Sequence, residues 1–147
     1  MNESVKGIIT LLTDFGTEDS YVGAMKGVIL SINHEVNIVD ISHHIPPQDI
    51  MAGAFVLSQA APFFPRGTIH IAVVDPGVGG KRRPILIETE RYFFIGPDNG
   101  IFDIALQREK GKQKRNSANW WSHKGTLNSR EFAIDIRSAI TSKSSGR

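Results

Sequence analysis

Short, nearly continuous apolar runs alternate along this chain with segments whose apolar residues recur at helical spacing. The apolar runs at 7–13, 36–41 and 68–74 predict three strands, the first of them buried on both faces of a sheet. The helical spacing at 21–33 and 50–60 predicts two helices between these strands. The pattern therefore predicts an alternation of strands and helices over the first half of the chain.

Polar residues mark the boundaries of these elements. Asp19 or Ser20 is placed to cap the first helix and Asp49 to cap the second, because their side-chain oxygens can accept hydrogen bonds from free N–H groups at helix starts. Further along, residues 84–88 and 91–95 predict two more strands around a tight turn.

The composition becomes more polar towards the end of the chain. The glycine- and proline-containing segment 96–100 predicts a tight loop that leads into a short helix ending at Leu106. Residues 109–115 are polar and charged, which predicts a loop, and the small polar residues at 142–147 predict a disordered end.

The order of the elements predicts an α/β fold. Strand, helix, strand, helix, strand is typical of a Rossmann-like three-layer sandwich around a mainly parallel sheet, joined by right-handed crossovers. With 147 residues, 40% of them hydrophobic, the chain suffices for one core and one domain.

Ligands of such parallel sheets bind outside the carboxyl ends of the strands. Because three strands lead into Asp14, Asp40 and Asp75, we expect an acidic rim there.

Composition and charge narrow the classes of function. Seventeen Lys and Arg against fifteen Asp and Glu give a net charge of +2. This small charge gives little support to a nucleic-acid partner, and we expect none. The absence of cysteine excludes disulfides, thiolate metal sites and a cysteine nucleophile, and it fits a cytoplasmic protein. No apolar run is long enough to span a membrane and no signal peptide is evident, so we expect a soluble protein without a membrane partner.

The segment 14–19, Asp-Phe-Gly-Thr-Glu-Asp, follows the first predicted strand. A carboxylate at Asp14 can accept hydrogen bonds from both hydroxyls of a ribose, and Gly16 lets the backbone bend. Asp14 could equally serve only to cap the turn, since aspartate favours such positions. The segment lacks the glycine spacing of dinucleotide-binding folds and the Gly-Lys-Ser/Thr of a P-loop.

The glycine-rich segment 75–82 follows the third predicted strand. Three glycines allow this loop to double back and bring Arg82 beside Asp75. Such a pair can orient a water molecule, with Asp75 accepting a proton or hydrogen bond and Arg82 stabilising a developing anion. The alternative is an ion pair that only braces the loop.

His43 and His44, with Asp14, Asp40 and Asp75, raise the hypothesis of a metal site. Adjacent histidines on extended backbone point in opposite directions, which favours a turn-forming segment over a metal ligand pair. Seven aromatic residues are interpreted as core rather than as a stacking surface: Phe15, Tyr21, Phe63, Phe64, Phe93, Phe94 and Phe102. Two of them, Phe15 and Tyr21, lie close to the expected rim.

Four blocks of residues, in this order and spacing, resemble one family. They are Leu-Thr-Asp-Phe-Gly-Thr at 12–17 with Tyr-Val-Gly-Ala-Met-Lys-Gly at 21–27, Asp-Ile-Ser-His at 40–43 with Ile-Pro-Pro-Gln-Asp-Ile at 45–50, Val-Asp-Pro-Gly-Val-Gly at 74–79 with Arg-Arg at 82–83, and Gly-Pro-Asp-Asn-Gly at 96–100. The chain is identified from them as similar to the S-adenosylmethionine hydroxide adenosyltransferases and the related chlorinases and fluorinases.

The resemblance implies displacement of methionine from C5′ of S-adenosylmethionine, with no cofactor. It implies that Asp14 holds the ribose hydroxyls and that Asp19 lies near the methionine part of the substrate. The substrate-binding residues expected from it are Asp14, Phe15, Asp19, Tyr21, Gln48, Asn99 and Ser129. The fluorinating relatives carry Tyr-Pro where this chain has Asp75, whereas the hydroxide-type relatives carry Asp-Pro-Gly-Val-Gly with an arginine seven residues on. Asp75 and Arg82 therefore indicate water as the nucleophile.

Two features depart from the hydroxide-type pattern. Asn128 stands where those relatives have a histidine, and Ser129 resembles the halide-binding serine of the halogenating enzymes. Asparagine can orient water as a third catalytic residue but cannot act as a base.

In the family, a small β-rich C-terminal domain from a neighbouring subunit of a homotrimer completes the site. This chain stops at Arg147, so residues 1–133 are expected to form an incomplete α/β N-terminal domain without that C-terminal domain, and 134–147 a polar, disordered tail.

The sequence thus favours an S-adenosylmethionine hydrolase that produces adenosine and methionine. The second hypothesis is a catalytically incomplete module that binds a nucleoside or serves in assembly. The third is chlorinase-type halide transfer to C5′, favoured by Ser129 and opposed by Asp75. A metal-dependent hydrolase built on Asp14, Asp40 and His43 comes last.

Overall fold

A computed structural model describes residues 7–74 and 84–117 of the chain. Their helices and strands are β1 Ile8–Thr13, α1 Tyr21–Ile32, β2 Asn37–Ser42, α2 Ile50–Ala60, a 3-10 helix Ala61–Phe63, β3 Ile69–Val73, β4 Pro84–Glu88, β5 Phe93–Pro97, α3 Asp103–Gln107 and β6 Lys114–Ser117. The strands form one sheet in the order β2-β1-β3-β5-β4-β6. Strands β2, β1, β3 and β5 are parallel, and β4 is antiparallel to both β5 and β6.

The sheet carries a hydrophobic core on each face. One core joins Met25 and Ile29 of α1 to alternate residues of β1, β3 and β5. The other core joins Leu57 of α2 and Leu106 of α3 to the intervening strand residues, such as Leu12 of β1. Because successive strand residues face opposite sides, the apolar runs bury both of their faces under helices. The predicted α/β sandwich with a mainly parallel sheet is confirmed.

The predicted elements agree with the structure to within about two residues at their ends, apart from one strand. Residues 109–115 were predicted to be a loop, but Lys114–Ser117 form β6, which pairs with β4. This prediction was wrong because Lys-Arg-Asn-Ser has no apolar alternation. An edge strand whose side chains face solvent is stabilised through its backbone hydrogen bonds, which leave no hydrophobic pattern in the sequence.

The predicted helix caps are confirmed for α2 and take a different form at α1. The side chain of Asp49 accepts a hydrogen bond from the backbone N–H of Ala52, which satisfies one free donor of α2. At α1 the N-cap residue is Ser20, whose side chain makes no capping hydrogen bond. Asp19 instead accepts a hydrogen bond from the N–H of Tyr21.

Two aromatic residues interpreted as core lie at the surface. Phe63 is 87% exposed and Tyr21 is 61% exposed, whereas Phe93, Phe94 and Phe102 are buried as predicted. Phe63 follows α2 in the 3-10 helix, whose three residues per turn shift the facing of side chains relative to the preceding α-helix. Tyr21 begins α1, where Val22 rather than Tyr21 faces the core.

A buried histidine lies in the middle of the sheet. His70 of β3 is fully buried, and its Nδ1 lies 2.7 Å from the hydroxyl of Thr10 on β1. The rings of Phe64, Tyr92 and Phe94 surround its imidazole. Burial, aided by the positive charge of Arg91, lowers the pKa of His70 to about 3.

The pKa of His70 predicts a loss of stability in mild acid. The unfolded chain takes up this proton near the ordinary pKa of 6.5, whereas the folded protein takes it up only near about 3. Above pH 6.5, His70 is neutral in both states and does not reduce the stability of the fold. As the pH falls from 6.5 towards about 3, only the unfolded chain binds this proton, so the folded protein loses stability. We expect the free energy of unfolding to decrease by about 1 kcal/mol per pH unit below pH 6.

Denaturant unfolding at a series of pH values from neutral to acid measures this slope. The matched control is the double variant Thr10→Val with His70→Phe, which replaces the polar pair with apolar side chains. Its slope should be smaller by about one bound proton. A slope unchanged in the double variant would show that other groups cause the acid sensitivity.

No described helix combines the length and the apolar character needed to cross a membrane.

Candidate functional site

The carboxyl ends of the central parallel strands lie side by side. Thr13 at the end of β1 pairs with Val73 at the end of β3, so Asp14 and Val74 leave neighbouring strands at the same level. On the other side of β3, the side-chain amide of Asn99 donates a hydrogen bond to the carbonyl of Val74 over 2.8 Å. The residues that follow β1, β3 and β5 therefore form one rim, as the strand order predicted.

Asp14 is the carboxylate of this rim that follows β1. It is half-buried, and its Oδ2 accepts a hydrogen bond of 2.7 Å from the backbone N–H of Gln48. Within residues 7–74 and 84–117, no hydrogen bond reaches its other oxygen, Oδ1. The contact with Gln48 holds the Asp14 carboxylate in one orientation, and a carboxylate so held can accept hydrogen bonds from a polar ligand.

Gln48 adopts a strained backbone conformation to make this contact. Its φ of 64° lies in the left-handed region, and among the described residues it is the only one besides glycine with a positive φ. Such conformations cost free energy and concentrate at functional sites. The backbone of Gln48 therefore orients Asp14, while its exposed side chain extends from the rim.

The loop after Asp14 is held by hydrogen bonds to its backbone. The N–H of Phe15 donates to the hydroxyl of Thr13 over 3.2 Å, and the N–H of Gly16 donates to the carbonyl of His43 over 2.7 Å. Gly16 has a φ of 74°, a conformation that other residues adopt at a cost. The bend predicted at Gly16 is present, and it turns the chain over the rim.

Two aromatic rings lie beside this bend. The ring of Phe15 is 5.7 Å from the ring of Tyr21, and Phe15 packs partly against the core while Tyr21 is exposed. Asp19 is fixed nearby through its hydrogen bond with the N–H of Tyr21. The structure thus places Phe15, Asp19 and Tyr21 together around the start of α1, in the segment that follows Asp14. An exposed ring at such a place offers a face to a planar group.

The side chain of Asn99 is engaged within the protein at both ends. Its amide nitrogen donates to the Val74 carbonyl, and its oxygen accepts from the N–H of Ile101 over 3.1 Å. Asn99 therefore braces the exit from β3 against the loop after β5. Direct contact of Asn99 with a substrate stays a prediction.

Asp40 does not lie at the end of its strand, so the prediction of its place on the rim was wrong. It pairs with Leu11 inside β2, which continues to Ser42 past an irregularity in the register. Its carboxylate binds the ammonium of Lys26 at 2.7 Å and Nε2 of His43 at 2.8 Å. Partial burial alone would raise the pKa of Asp40, but the hydrogen bonds from Lys26 and His43 outweigh it and lower that pKa.

The two adjacent histidines face opposite ways, as predicted from extended backbone. His43 is buried and His44 is exposed. The two ring nitrogens of His43 contact Asp40 and the hydroxyl of Thr13, so neither is available to a metal without breaking a hydrogen bond. In the described ranges, no group of three potential metal ligands comes together. The described residues thus do not support the hypothesis of a metal-dependent hydrolase.

Four predicted site residues lie outside the described residues. They are the catalytic residues Asp75, Arg82 and Asn128 and the substrate-binding residue Ser129. The predicted tail at 134–147 also lies outside them. Their roles stay predictions.

Thr13 and Lys26 join the site although their residue types alone did not indicate it. Thr13 is a buried polar residue at the end of an apolar strand, and Lys26 lies on α1 within reach of Asp40. A buried hydroxyl requires a hydrogen-bond partner, so Thr10 and Thr13 within an apolar strand could have indicated buried polar partners such as histidines. The pairing itself depends on contacts distant in sequence, which no local pattern contains.

A comparison with protein families decides what kind of domain carries this rim. Residues 9–141 match the model of the S-adenosylmethionine hydroxide adenosyltransferase N-terminal domain. The chain belongs to this family.

Named relatives of the adenosyltransferase domain fall into two groups. An (R)-S-adenosyl-L-methionine hydrolase of Methanocaldococcus jannaschii is 50% identical over 113 residues, which cover 74% of this chain and 43% of the relative. A fluorinase of an Actinoplanes species is 28% identical over 123 residues, which cover 68% of this chain and 41% of the relative. The chain spans less than half the length of these two relatives.

The fold agrees with a solved structure of similar sequence. A conserved hypothetical protein from Thermus thermophilus superposes with a TM-score of 0.76 at 32% identity, covering 90% of this chain and 53% of the other. The adenosyltransferase N-terminal domain thus accounts for the sheet and helices described above.

Proposed function

We propose that this adenosyltransferase domain serves an S-adenosylmethionine hydrolase, which transfers the adenosyl group to water and yields adenosine and methionine. The observation that carries the proposal is the 50% identity to a relative named as this hydrolase. The rim supports it, because Asp14 lies at the carboxyl end of β1 with one oxygen fixed by Gln48.

The proposed reaction is a displacement at C5′ of the substrate. The oxygen of water attacks C5′, the bond between C5′ and sulfur breaks, and its electron pair leaves with sulfur to give neutral methionine. Water loses one proton to form the 5′-hydroxyl of adenosine. Because the sulfonium leaves as a neutral thioether, no general acid is needed, and the protein has to align and desolvate the nucleophile.

The residues divide into two proposed groups. Asp14 accepts hydrogen bonds from the ribose hydroxyls, Asp19 lies towards the methionine part, and Phe15 and Tyr21 offer ring surfaces beside them. The contacts of Tyr21 with Phe15 and Asp19 at the start of α1, in the segment after Asp14, support this assignment. The side chain of Gln48, which is exposed at the rim, contributes a further polar contact.

The water-directing group is proposed from the sequence. Asp75 accepts a proton or hydrogen bond from water, Arg82 stabilises the developing negative charge, and Asn128 helps to orient the water. Asn99 supports this group by holding the carbonyl of Val74, the residue before Asp75. Ser129 contacts the substrate.

We further propose that the protein acts in the cytoplasm as a homotrimer, without a cofactor. The absence of cysteine and the lack of a described membrane-spanning helix are compatible with this location. The trimer follows from the family resemblance.

Two other functions have specific support. The fluorinase relative and Ser129 favour chlorinase-type transfer of halide to C5′. Asn128, which cannot act as a base where the hydroxide-type relatives have a histidine, favours a module that binds adenosine without turning substrate over.

Incubation of the purified chain with S-adenosylmethionine, with and without chloride, separates the three functions. The hydrolase produces adenosine in both samples, and a protein-free sample corrects for spontaneous decomposition. Appearance of 5′-chloro-5′-deoxyadenosine in chloride alone would replace the proposal with the halogenase. Adenosine binding without turnover would replace it with the module.

A further inference from the structure

A chain of hydrogen bonds links the surface of α1 to the loop that carries Asp14. Lys26 binds one oxygen of Asp40 at 2.7 Å, and the other oxygen of Asp40 binds Nε2 of His43 at 2.8 Å. Nδ1 of His43 lies 2.7 Å from the hydroxyl of Thr13, which accepts the N–H of Phe15 at 3.2 Å. The chain thus crosses from α1 through β2 to the end of β1.

With a neutral His43 imidazole, one arrangement of protons satisfies every contact in this chain. The carboxylate of Asp40 can only accept, so Nε2 of His43 carries a proton. Nδ1 is then an acceptor in the neutral imidazole, and the hydroxyl of Thr13 donates to it. The lone pairs of that hydroxyl remain free to accept the N–H of Phe15. Each donor therefore points away from the loop and towards Asp40, where Lys26 balances the charge.

This arrangement fixes the peptide that follows Asp14. The N–H of Phe15 belongs to the same peptide unit as the carbonyl of Asp14, so its hydrogen bond to Thr13 sets the direction of the backbone beside the carboxylate. The carbonyl of His43 holds the next N–H, that of Gly16, over 2.7 Å. His43 thus restrains the loop through both its side chain and its backbone.

We infer that Thr13 and His43 are positioning residues for the Asp14 carboxylate, and that Asp40 and Lys26 hold His43 in the required tautomer and orientation. The inference rests on the proposed binding of an adenosine group by Asp14. It gives the buried polar residues at the end of β1 a role in ligand binding rather than in stability alone.

The chain contains a matched pair of hydrogen bonds that separates these roles. Thr10 and Thr13 are both fully buried on β1, and each hydroxyl lies 2.7 Å from Nδ1 of a histidine, His70 or His43. Thr10 lies inside the sheet with its hydroxyl directed to His70 of β3, whereas the hydroxyl of Thr13 accepts a hydrogen bond from the loop itself. Loss of either hydroxyl removes a similar buried contact, but only one of them orients Phe15.

The test compares Thr13→Val, Thr10→Val and Thr13→Ser in the full chain. Adenosine affinity is measured by titration calorimetry, and exchange of the Phe15 amide hydrogen by NMR. We expect Thr13→Val to weaken adenosine binding about 10-fold and to accelerate exchange at Phe15. Thr10→Val should leave both unchanged despite a similar loss of melting temperature, and Thr13→Ser should restore both. Equal effects of Thr10→Val and Thr13→Val would overturn the inference.

The two readouts separate this inference from the proposed function. If the wild-type chain binds neither adenosine nor S-adenosylmethionine, the proposed function fails, and the contrast in Phe15 exchange alone decides whether Thr13 orders the loop. If the wild-type chain binds adenosine and Thr13→Val binds equally well, the positioning role fails while the function stands. Should Thr13→Val not fold, Asp40→Ala removes the support of His43 from a partly exposed position and is expected to accelerate Phe15 exchange in the same way. Unchanged exchange in Asp40→Ala would contradict the inference.

Discussion

Replacement of Asp14 with asparagine is expected to weaken adenosine binding by roughly 10- to 100-fold, because charge-assisted hydrogen bonds to the ribose hydroxyls are lost. Asparagine keeps an oxygen that can accept the N–H of Gln48, so the loop should keep its conformation. The amide group cannot accept hydrogen bonds from both hydroxyls while retaining that contact. Titration calorimetry with adenosine measures the change directly.

Asp103→Asn is the matched control for this variant. It removes the same charge from an exposed residue in the first turn of α3. We expect the control to bind adenosine like the wild type, and both variants to melt close to the wild-type temperature. Equal affinity of Asp14→Asn and the wild type would show that Asp14 only caps the turn after β1, the alternative that the sequence left open.

Gly96→Ala is expected to destabilise the fold by about 3 kcal/mol or more. Gly96 lies in β5, where an added Cβ would collide with the backbone carbonyl oxygen of Ala72 in β3 and lie 2.9 Å from Cζ of Phe102. The first neighbour is backbone inside the sheet and cannot move away without breaking the register of β3 and β5. Denaturant unfolding of the variant gives the free energy directly.

Gly23→Ala provides the contrast within the same chain. A Cβ at Gly23 of α1 meets nothing within 4 Å, and alanine favours helix over glycine. We expect this control to be unchanged or slightly more stable, by about 0.5–1 kcal/mol. If Gly96→Ala were as stable as Gly23→Ala, the close approach of β3 and β5 at Gly96 would be wrong.

The sequence predicts those parts of the fold that depend on local pattern. The apolar runs of β1 and β3 and the cap of α2 at Asp49 have signals within a few residues, and the structure follows them. The strand β6 was missed because its residues are polar and its stability comes from pairing with β4. Phe63 was misplaced because a 3-10 helix interrupts the helical period.

The same distinction holds at the rim. Asp14 could be placed from the end of a strand, because parallel strands bring their carboxyl ends together. The partners of Asp40 could not be predicted from a local pattern, because Lys26 lies on α1, fourteen residues earlier in the chain. The position of Asp40 was also mispredicted, because β2 continues past it to Ser42. His43 attracted the hypothesis of a metal ligand, yet both of its ring nitrogens are used inside the protein. Long-range hydrogen bonding, rather than residue type, decided these roles.

The central claim is that water attacks C5′ of S-adenosylmethionine on this protein. Incubation with S-adenosylmethionine in water enriched in heavy oxygen, followed by mass spectrometry of the nucleoside product, tests it most directly. The account predicts adenosine that carries the heavy isotope at its 5′-hydroxyl, together with an equal amount of methionine. Absence of adenosine above the protein-free sample, or adenosine without the heavy isotope, would contradict it.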